Sequence, residues 1–213
     1  MSTKHPVIDS LNWRYATKQY DATRQISDED LAVLKESVRL TATSYGLQPF
    51  KVFIVKNDEL RKELKAHSFD QGQITDASDL FVFAIDKSIT HEHIDNYMLN
   101  ISKTRGLELN QVSGFGDYIK ASISTLEEND FIKWNTNQSY IALGTLLQTA
   151  AELRIDATPI EGFNRKAYDE ILKLEEQNLT SSVICSLGYR SKTDKSQFSA
   201  KVRKSEKEIF EVI

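Results

Sequence analysis

Four short segments of the chain hold charged, hydroxyl-bearing and glycine residues at spacings that ordinary packing does not require. They read RYATKQYD at 14–21, TSYGLQPF at 43–50, PIEGF at 159–163 and KVR at 201–203. Arginine binds an anion through paired hydrogen bonds and lysine binds it as a point charge. Taken singly, a solvated basic tail explains 201–203, and P-x-x-G is common turn chemistry. A turn alone leaves unexplained why an acid stands between apolar neighbours in PIEGF.

Several familiar signatures of catalysis are absent from the sequence. It contains no GxxxxGK[ST] loop, no GxSxG elbow, no HExxH and no CxxC. The GxG at 114–116 lacks a third glycine and is typical of a turn at a helix start. His91 and His93 are two residues apart, so on a helix they cannot share a metal ion, and no metal is expected. Cys185 lies in an apolar segment, and we expect a buried, unreactive thiol.

The elements that must position the four segments begin with several helices. Pro6 favours the first turn of a helix that runs to about Trp13. Ser27 begins an amphipathic helix, because a pattern resembling a capping box and apolar residues at i, i+3 and i+7 follow it. Asn57 is predicted to cap a charged helix that runs to about His67. The strongest helix, over 130–153, is apolar around most of its second half, so it should be buried in the core or between subunits. Weaker helical patterns cover 94–101, 118–123 and 165–174.

Three segments predict strands, and a fourth alternates like one. Residues 50–55 are rich in β-branched and aromatic types, and 80–85 (LFVFAI) is typical of a strand buried on both faces. A third strand is predicted over 182–187. The alternation at 209–213 is strand-like, and such a strand must pair with something. Strands separated by helices predict an α+β or α/β layered fold, and with no linker or repeat we expect one domain over 1–213.

The composition excludes several classes of protein. The chain has 213 residues, 27% of them charged, and no apolar run approaches the roughly 20 residues of a membrane span. A formal net charge of −4 argues against a general nucleic-acid binder. The first segment of the chain holds no apolar block, so no signal peptide is expected. A single cysteine fits a reducing compartment, and we expect a cytoplasmic protein with no nucleic-acid or membrane partner.

In this order and spacing, the four segments resemble the nitroreductase family of flavin enzymes, in particular its oxygen-insensitive bacterial members. The resemblance runs nearly from end to end. It is weakest over about 87–127, and PIEGF and the R-x-x-x-K start are its most specific parts. It implies an α+β fold with a central mixed, mostly antiparallel sheet flanked by helices, and a C-terminal tail exchanged in a homodimer. It also implies tightly bound, non-covalent FMN at the interface and NAD(P)H as electron donor.

The resemblance assigns residues to parts of FMN. Arg14, Lys201 and Arg203 are the cations expected at the phosphate. Lys18 is expected at the N1/O2 edge of the ring, where a cation stabilises the negative charge that reduction leaves. Backbone groups expected along the ring belong to Pro159, Ile160, Glu161 and Gly162. Among these, the N–H of the acid is expected at N5 and that of the glycine at O4. No side-chain acid or base is expected.

The remaining assignments concern the ribityl chain and the neighbourhood of the phosphate. Thr43, Ser44 and Gly46 are expected to reach them from the partner subunit through hydroxyl and backbone groups. Gln138 on the long helix is expected to face the ribityl chain, although a plain helix-surface residue is the alternative. Tyr15 is expected among the cofactor contacts because it lies within the RYATK segment.

Four cofactor contacts depart from the family's pattern. Gly46 stands where some relatives have asparagine, and a close approach of the backbone can replace the lost amide. Ala16 stands where a serine is common and cannot donate to phosphate. Gln73 stands where close relatives often carry a second lysine, so it can donate a hydrogen bond but adds no charge. Asp70 stands where an asparagine is common, and a negative charge there would oppose reduction of the ring. The differences at Gln73 and Asp70 bear on the flavin potential and leave the fold unchanged, whereas Ala16 removes one contact to the phosphate.

The resemblance implies a function as well as a site. Nicotinamide and acceptor would use one flavin face in turn, giving ping-pong, two-electron reduction of nitroaromatics or quinones. A dihydropteridine reductase or a flavin reductase on the same scaffold is the alternative, and the pocket formed by 87–127 would decide. Phe115 or Tyr118 could gate that pocket or simply pack in the core. A non-catalytic FMN-binding protein is a second class, and a structural module without cofactor is a third.

Overall fold

A four-stranded antiparallel sheet is the frame of the molecule. The computed structural model describes residues 4–213, so residues 1–3 of the expected domain lie outside the described part. In the order β1-β2-β4-β3, the strands are β1 (Phe50–Val55), β2 (Asp79–Asp86), β3 (Asp156–Ile160) and β4 (Leu179–Gly188). The central strands β2 and β4 are buried on both faces, as the unbroken apolar run of β2 predicts.

The sheet differs from the expected one in two respects. Every pairing between the named strands in residues 4–213 is antiparallel, so the expected mixed character is not found there. β3 is a strand for which the sequence gives no prediction. It contains Pro159, which has no backbone donor, and its place at the sheet edge makes that tolerable because one side of the strand needs no partner.

Helices cover the sheet, and the predicted ones are all present. Within the described residues they are α1 (Pro6–Trp13), α2 (Asp28–Arg39), α3 (Asp58–Ala66), α4 (Gln73–Asp76), α5 (His91–Arg105), α6 (Ser113–Ser124), α7 (Glu128–Glu152), α8 (Arg165–Ile171) and α9 (Glu206–Ile209). The predicted caps are confirmed, since Ser27 accepts from the N–H of Asp30 at 3.0 Å and Asn57 from that of Leu60 at 2.8 Å. None of these helices is both long and apolar enough to cross a membrane.

Two apolar layers fill the space on either side of the sheet. On one side, α2 and α7 bury Leu34 and Leu146 against the strands. On the other side, α3 and α8 bury Leu64 and Tyr168. The prediction that α7 is buried in its second half is confirmed for these positions, although Ile141 on another face is about half exposed. Burying both faces of the sheet is what makes the layered α+β class stable.

Helices α5 and α6 pack around a smaller apolar cluster of their own. Ile94, Met98 and Ile119 are buried in it, and the cluster shares no buried residue with the two larger layers. Phe115 and Tyr118 meet the ring of Tyr45 edge-on, with ring centroids 6.4 and 6.1 Å apart. Both aromatic side chains keep exposed surface in this packing, so the segment joins the loop that holds Tyr45 while remaining open to solvent.

The C-terminal tail does not form the strand that its alternation predicts. Ile209 is the last residue of a short helix, α9. The residues after Phe210 neither accept nor donate a backbone hydrogen bond within the described part of the chain. Val212 and Ile213 are fully exposed. The alternation predicts a strand only where another strand pairs with it, and the chain by itself supplies none.

Candidate functional site

A buried ion pair fixes the RYATKQYD segment to the sheet. Asp156, at the start of β3, is 2% exposed and accepts hydrogen bonds from the Thr17 hydroxyl at 3.1 Å and the Arg190 N–H at 2.7 Å. The Arg190 guanidinium also forms an ion pair with Asp156, with Nη2 2.6 Å from Oδ1, and stacks on the ring of Trp13. Both charges can be buried because each is paired and hydrogen-bonded.

Asp194 ties the same segment to a part of the chain far away in sequence. Its Oδ2 accepts from the N–H of Lys18 at 2.8 Å and from the hydroxyl of Tyr15 at 2.9 Å, while Oδ1 accepts from the N–H of Ser196 at 2.9 Å. Burial alone would raise the pKa of Asp194, but these hydrogen bonds outweigh it and hold the pKa below its ordinary value. The ionised carboxylate therefore fixes the backbone next to Lys18.

Three cations meet in one cavity of about 430 Å³, which we call the cationic cavity: Arg14, Lys201 and Arg203. The Nε of Arg14 is buried without a hydrogen-bond partner. Among the described residues, no carboxylate lies within 4.0 Å of these three cations. Burial lowers the pKa of Arg14 and of Lys201, and the charge of Arg203 lowers both further. Cations crowded together without a counter-charge are stabilised by a bound anion.

The cationic cavity also brings together other predicted contacts. Tyr15 and Ala16 line it, so five of the predicted cofactor contacts lie there. The Nζ of Lys201 donates to the carbonyl oxygen of Leu11 at 2.6 Å and also to that of Arg14. The C-terminal segment is thus held against the end of α1. Ala16 offers no side-chain donor, as its residue type predicts.

Lys18 does not line the cationic cavity, and its ammonium group has no hydrogen-bond or ion-pair partner among the described residues. Its side chain is exposed, and no carboxylate among residues 4–213 comes within 4.0 Å of its Nζ. Its backbone, in contrast, is fixed by Asp194. A lysine with a fixed backbone and a free ammonium group can place positive charge against a ligand that binds beside it.

The segment 43–46 adopts a tight, left-handed turn. Gly46 has φ of +76°, and a Cβ atom on it would overlap the hydroxyl of Tyr97, so only glycine fits without displacement. That hydroxyl donates to the carbonyl of Tyr45 at 2.8 Å. Gln138 accepts from the N–H of Ser44 at 2.8 Å. The amide oxygen of Gln138 is therefore engaged by this loop, and Gln138 is a support of the loop in this chain.

The 159–163 loop presents free backbone donors at the end of β3. Within residues 4–213, neither the N–H of Glu161 nor that of Gly162 donates to a protein acceptor. Two side chains hold the loop: the Tyr140 hydroxyl donates to the Glu161 carboxylate at 2.6 Å, and Gln71 donates to the carbonyl of Gly162 at 2.9 Å. Two adjacent N–H groups that face outward can bind acceptor atoms along the edge of a flat ligand.

The turn before α4 faces this loop with strained backbone. Phe69 and Asp70 are consecutive residues with φ of +51° and +52°, a conformation that costs non-glycine residues free energy. Phe69 is 81% exposed, and its ring lies close to Gly162, since a Cβ atom added to that glycine would be 3.7 Å from the ring. Asp70 is exposed beside it, whereas Gln73 is 7% exposed, at the start of α4. Asp70 and Gln73, both of which depart from the family's pattern, thus differ in environment, since the first is exposed and the second is buried.

Most of the predicted site residues fall into three groups in the structure, and Lys18 and Gln73 belong to none of them. The cationic cavity holds one group, and the 159–163 loop with the turn at 68–71 holds a second. Thr43, Ser44 and Gly46 form a third group with Gln138, and none of these four residues lines the cationic cavity. Within one chain, each group is held by its own local contacts. The third group does not line the cationic cavity, which holds the first.

Sequence reasoning missed the residues that support the site from behind. Asp156 lies three residues before the PIEGF segment, so its place in the sequence was a signal that could have been used. Asp194, Gln71 and Tyr140 carry no comparable signal. Each acts through one contact to a residue that is distant in sequence, and only the folded chain shows that contact.

The cationic cavity can hold an anionic group, and the free N–H groups of the 159–163 loop can bind acceptor atoms of a flat ligand. The Nitroreductase family model matches residues 11–189, and the chain belongs to the nitroreductase family. The chain is 31% identical over 215 residues to the major NAD(P)H-flavin oxidoreductase of Aliivibrio fischeri, with 98% of each chain covered.

Solved structures share the fold at low sequence identity. A protein of Exiguobacterium sibiricum, solved in complex with FMN, has a TM-score of 0.84 and 18% identity, covering 100% of this chain and 99% of that one. The gut-bacterial enone reductase CLA-ER has a TM-score of 0.83 and 14% identity, covering 99% of each chain. The expected nitroreductase-like α+β fold is confirmed by these similarities.

Proposed function

We propose that this protein is an FMN-dependent NAD(P)H oxidoreductase that reduces nitroaromatics or quinones by two electrons in ping-pong order. One observation carries the proposal. In a chain of the nitroreductase family, the buried Nε of Arg14 has no protein partner and lies in a cavity with Lys201 and Arg203. The Aliivibrio relative is named for NAD(P)H and flavin, and the Exiguobacterium structure contains FMN.

The residues present fit FMN at both ends of the molecule. Arg14, Lys201 and Arg203 would hold the phosphate, since three uncompensated cations match its negative charge. The free N–H groups of Glu161 and Gly162 would face the polar edge of the ring. FMN, when bound, supplies a centre that takes a hydride equivalent from reduced nicotinamide and passes two electrons to the acceptor.

The protein's own side chains would contribute position and charge. Lys18 places a fixed positive charge where reduction leaves negative charge, which stabilises the reduced state. Asp194 and Asp156 hold the backbone that carries Lys18 and Arg14. We assign no proton transfer to a side chain, and water is the expected source of protons.

We further propose that the active unit is a cytoplasmic homodimer of single-domain chains, with FMN at the interface. Thr43, Ser44 and Gly46 do not line the cationic cavity of their own chain, so a second copy would bring them to it. The exposed apolar tail that ends in Val212 and Ile213 needs cover, and exchange onto the partner would provide it.

A flavin or pteridine reductase on the same scaffold is the second candidate function. The Aliivibrio relative favours it, because its name gives flavin as the substrate class of an NAD(P)H oxidoreductase. Both candidates share the reductive half-reaction and differ only in the acceptor.

Anaerobic stopped-flow absorbance of FMN-loaded protein tests the proposal. Mixing with NADH, and separately with NADPH, should bleach the flavin band within milliseconds to seconds and identify the preferred donor. The reduced protein is then offered nitroaromatic, quinone, flavin and pterin acceptors in turn. Protein that holds FMN without bleaching would be a binding protein, and protein that takes up no FMN would contradict the proposal.

A further inference from the structure

Tyr140 makes a single, short hydrogen bond from the long helix to the 159–163 loop. Its hydroxyl donates to Oε1 of Glu161 at 2.6 Å, across 21 positions of the sequence. Tyr140 is half-buried on α7, one of the best-packed elements of the molecule, whereas Glu161 is exposed in a loop. The hydrogen bond therefore joins a rigid element to one that has little packing of its own.

The Glu161 carboxylate has no other side-chain partner in the described part of the chain. No Lys or Arg there lies within 4.0 Å of it. Burial, and after it the hydrogen bond to Glu161, raise the pKa of Tyr140 to about 12, so the phenol stays protonated near neutral pH. A phenol donor and a carboxylate acceptor form one of the stronger kinds of hydrogen bond.

The opposite side of the loop is held in a different way. Gln71 donates from one Nε2 to the carbonyls of Ser68 and Gly162, at 3.0 and 2.9 Å, which joins the loop to the turn before α4. Tyr140 and Gln71 thus grip adjacent residues from two sides. Between them lie the two backbone N–H groups without a protein acceptor.

From these contacts we infer that Tyr140 is a positioning residue, which acts through Glu161 to hold the two free N–H groups of the 159–163 loop toward a bound flavin ring. The role toward flavin rests on the proposed function. The tether, by which we mean the hydrogen bond between Tyr140 and Glu161, is a property of the protein alone. It also explains the acid in PIEGF: between apolar Ile160 and Phe163, only the Glu161 side chain can reach the phenol. A loop displaced by about 1 Å at a reacting centre can lose rate by up to about a hundredfold.

Backbone ¹⁵N relaxation of the apoprotein tests the tether without any cofactor. The order parameters of the Glu161 and Gly162 amides should be about 0.85 in the wild type and below about 0.6 in Tyr140→Phe. Glu161→Ala should give the same loss, and Tyr140→Phe should add nothing to it. Glu161→Gln keeps an acceptor oxygen and should stay close to the wild type. Tyr189→Phe is the matched control, because the Tyr189 hydroxyl makes no hydrogen bond in the described residues.

Reduction of FMN-loaded protein by NAD(P)H tests the role in the reaction. Tyr140→Phe should slow the reductive step about tenfold while changing FMN affinity by less than about threefold. Unchanged order parameters in Tyr140→Phe would overturn the inference, and so would a loosened loop with an unchanged reductive rate. A wild type that binds no FMN would overturn the proposed function instead, and the apoprotein relaxation result would still report on the tether.

Discussion

The cationic cavity and the 159–163 loop present opposite chemistry to the FMN that we propose they bind together. The cavity uses long, charged side chains with no counter-charge nearby, and one of them, Arg14, has a buried donor without a partner. The loop uses two backbone N–H groups, and its side chains, led by Glu161, serve to hold the backbone. The cavity contributes positive charge, and the loop contributes backbone donors that are held in fixed orientations.

This difference separates the work of holding a ligand from the work of reacting with it. A group of uncompensated cations contributes attraction that is the same in every redox state of the ligand. On the proposed function, the loop N–H groups and Lys18 act at the atoms whose charge changes during the reaction, where small displacements matter most. Substitutions at the cavity should therefore alter affinity, and substitutions at the ring side should alter rates.

Loss of Arg14 is the largest expected effect and the most direct test of this contrast. Arg14→Ala should weaken FMN binding about tenfold to a hundredfold, because a hydrogen bond between charged groups contributes about 1.5–3 kcal/mol. Titration with FMN, followed by quenching of its fluorescence, measures the change. Arg24→Ala is the control: it removes the same charge from a side chain that stacks on Tyr189. Equal losses in both variants would show that net charge matters and the cavity does not.

Asp194 holds both Tyr15 of the cationic cavity and the backbone of Lys18, so its loss should weaken FMN affinity and the reductive rate together. Asp194→Asn should lower the free energy of unfolding by about 2 kcal/mol at pH 7, since it weakens several buried hydrogen bonds at once. FMN affinity and the reductive rate should fall together, because the carboxylate fixes the backbone of Lys18 and the hydroxyl of Tyr15. Urea unfolding of the apoprotein gives the first quantity.

The difference in free energy of unfolding between the wild type and Asp194→Asn should depend on pH, because the pKa of Asp194 is lowered in the folded protein. A carboxylate whose pKa is lower in the folded state stabilises the fold above its unfolded pKa of about 3.9 and loses that effect as the pH falls further. The gap between wild type and Asp194→Asn should therefore be constant near neutral pH and shrink below about pH 4. Asp117→Asn, an exposed position, serves as control. A gap that does not change with pH would argue that the Asp194 charge contributes nothing.

Lys18 gives the smallest expected change and the sharpest separation of affinity from rate. Lys18→Ala should lower the flavin reduction potential and slow reduction by NAD(P)H about tenfold, because an exposed lysine stabilises charge less than a buried donor would. FMN affinity should stay within about threefold. Stopped-flow reduction and a titration with FMN supply the two numbers, with Lys192→Ala as a surface control. A variant that loses affinity but keeps its rate would place Lys18 with the cationic cavity.

The sequence predicts the central elements because their patterns are local. The apolar run of β2, the caps at Ser27 and Asn57 and the length of α7 depend on neighbours along the chain, and all were recovered. β3 escapes prediction because a proline and a short, mixed composition hide an edge strand. The tail at 209–213 is predicted wrongly for the opposite reason: its pattern requires a partner strand that the chain does not itself provide.

The residues of the candidate site divide in the same way, into those that the sequence reveals and those that only long-range contacts reveal. Its outward-facing residues could be named through the family resemblance, and the structure gathers Arg14, Tyr15, Ala16, Lys201 and Arg203 in one cavity. Gln138 is engaged by the N–H of Ser44, a contact that a helical position alone could not reveal. The supports Asp194, Gln71 and Tyr140 stayed hidden, since a residue that acts by one long-range hydrogen bond leaves no periodic trace in the sequence.

The hydrogen bond between Tyr15 and Asp194 has a consequence for synthesis of the protein. The two residues are 179 positions apart, so the RYATKQYD segment leaves the ribosome long before the carboxylate that anchors it. At about 5–20 residues per second, it waits roughly 10 to 40 seconds for its partner. Throughout that interval the nascent chain has its arginine and lysine but cannot lock them in place. On the proposed function, capture of FMN is therefore a late event in the life of the polypeptide, which follows closure of contacts that join the two ends of the chain.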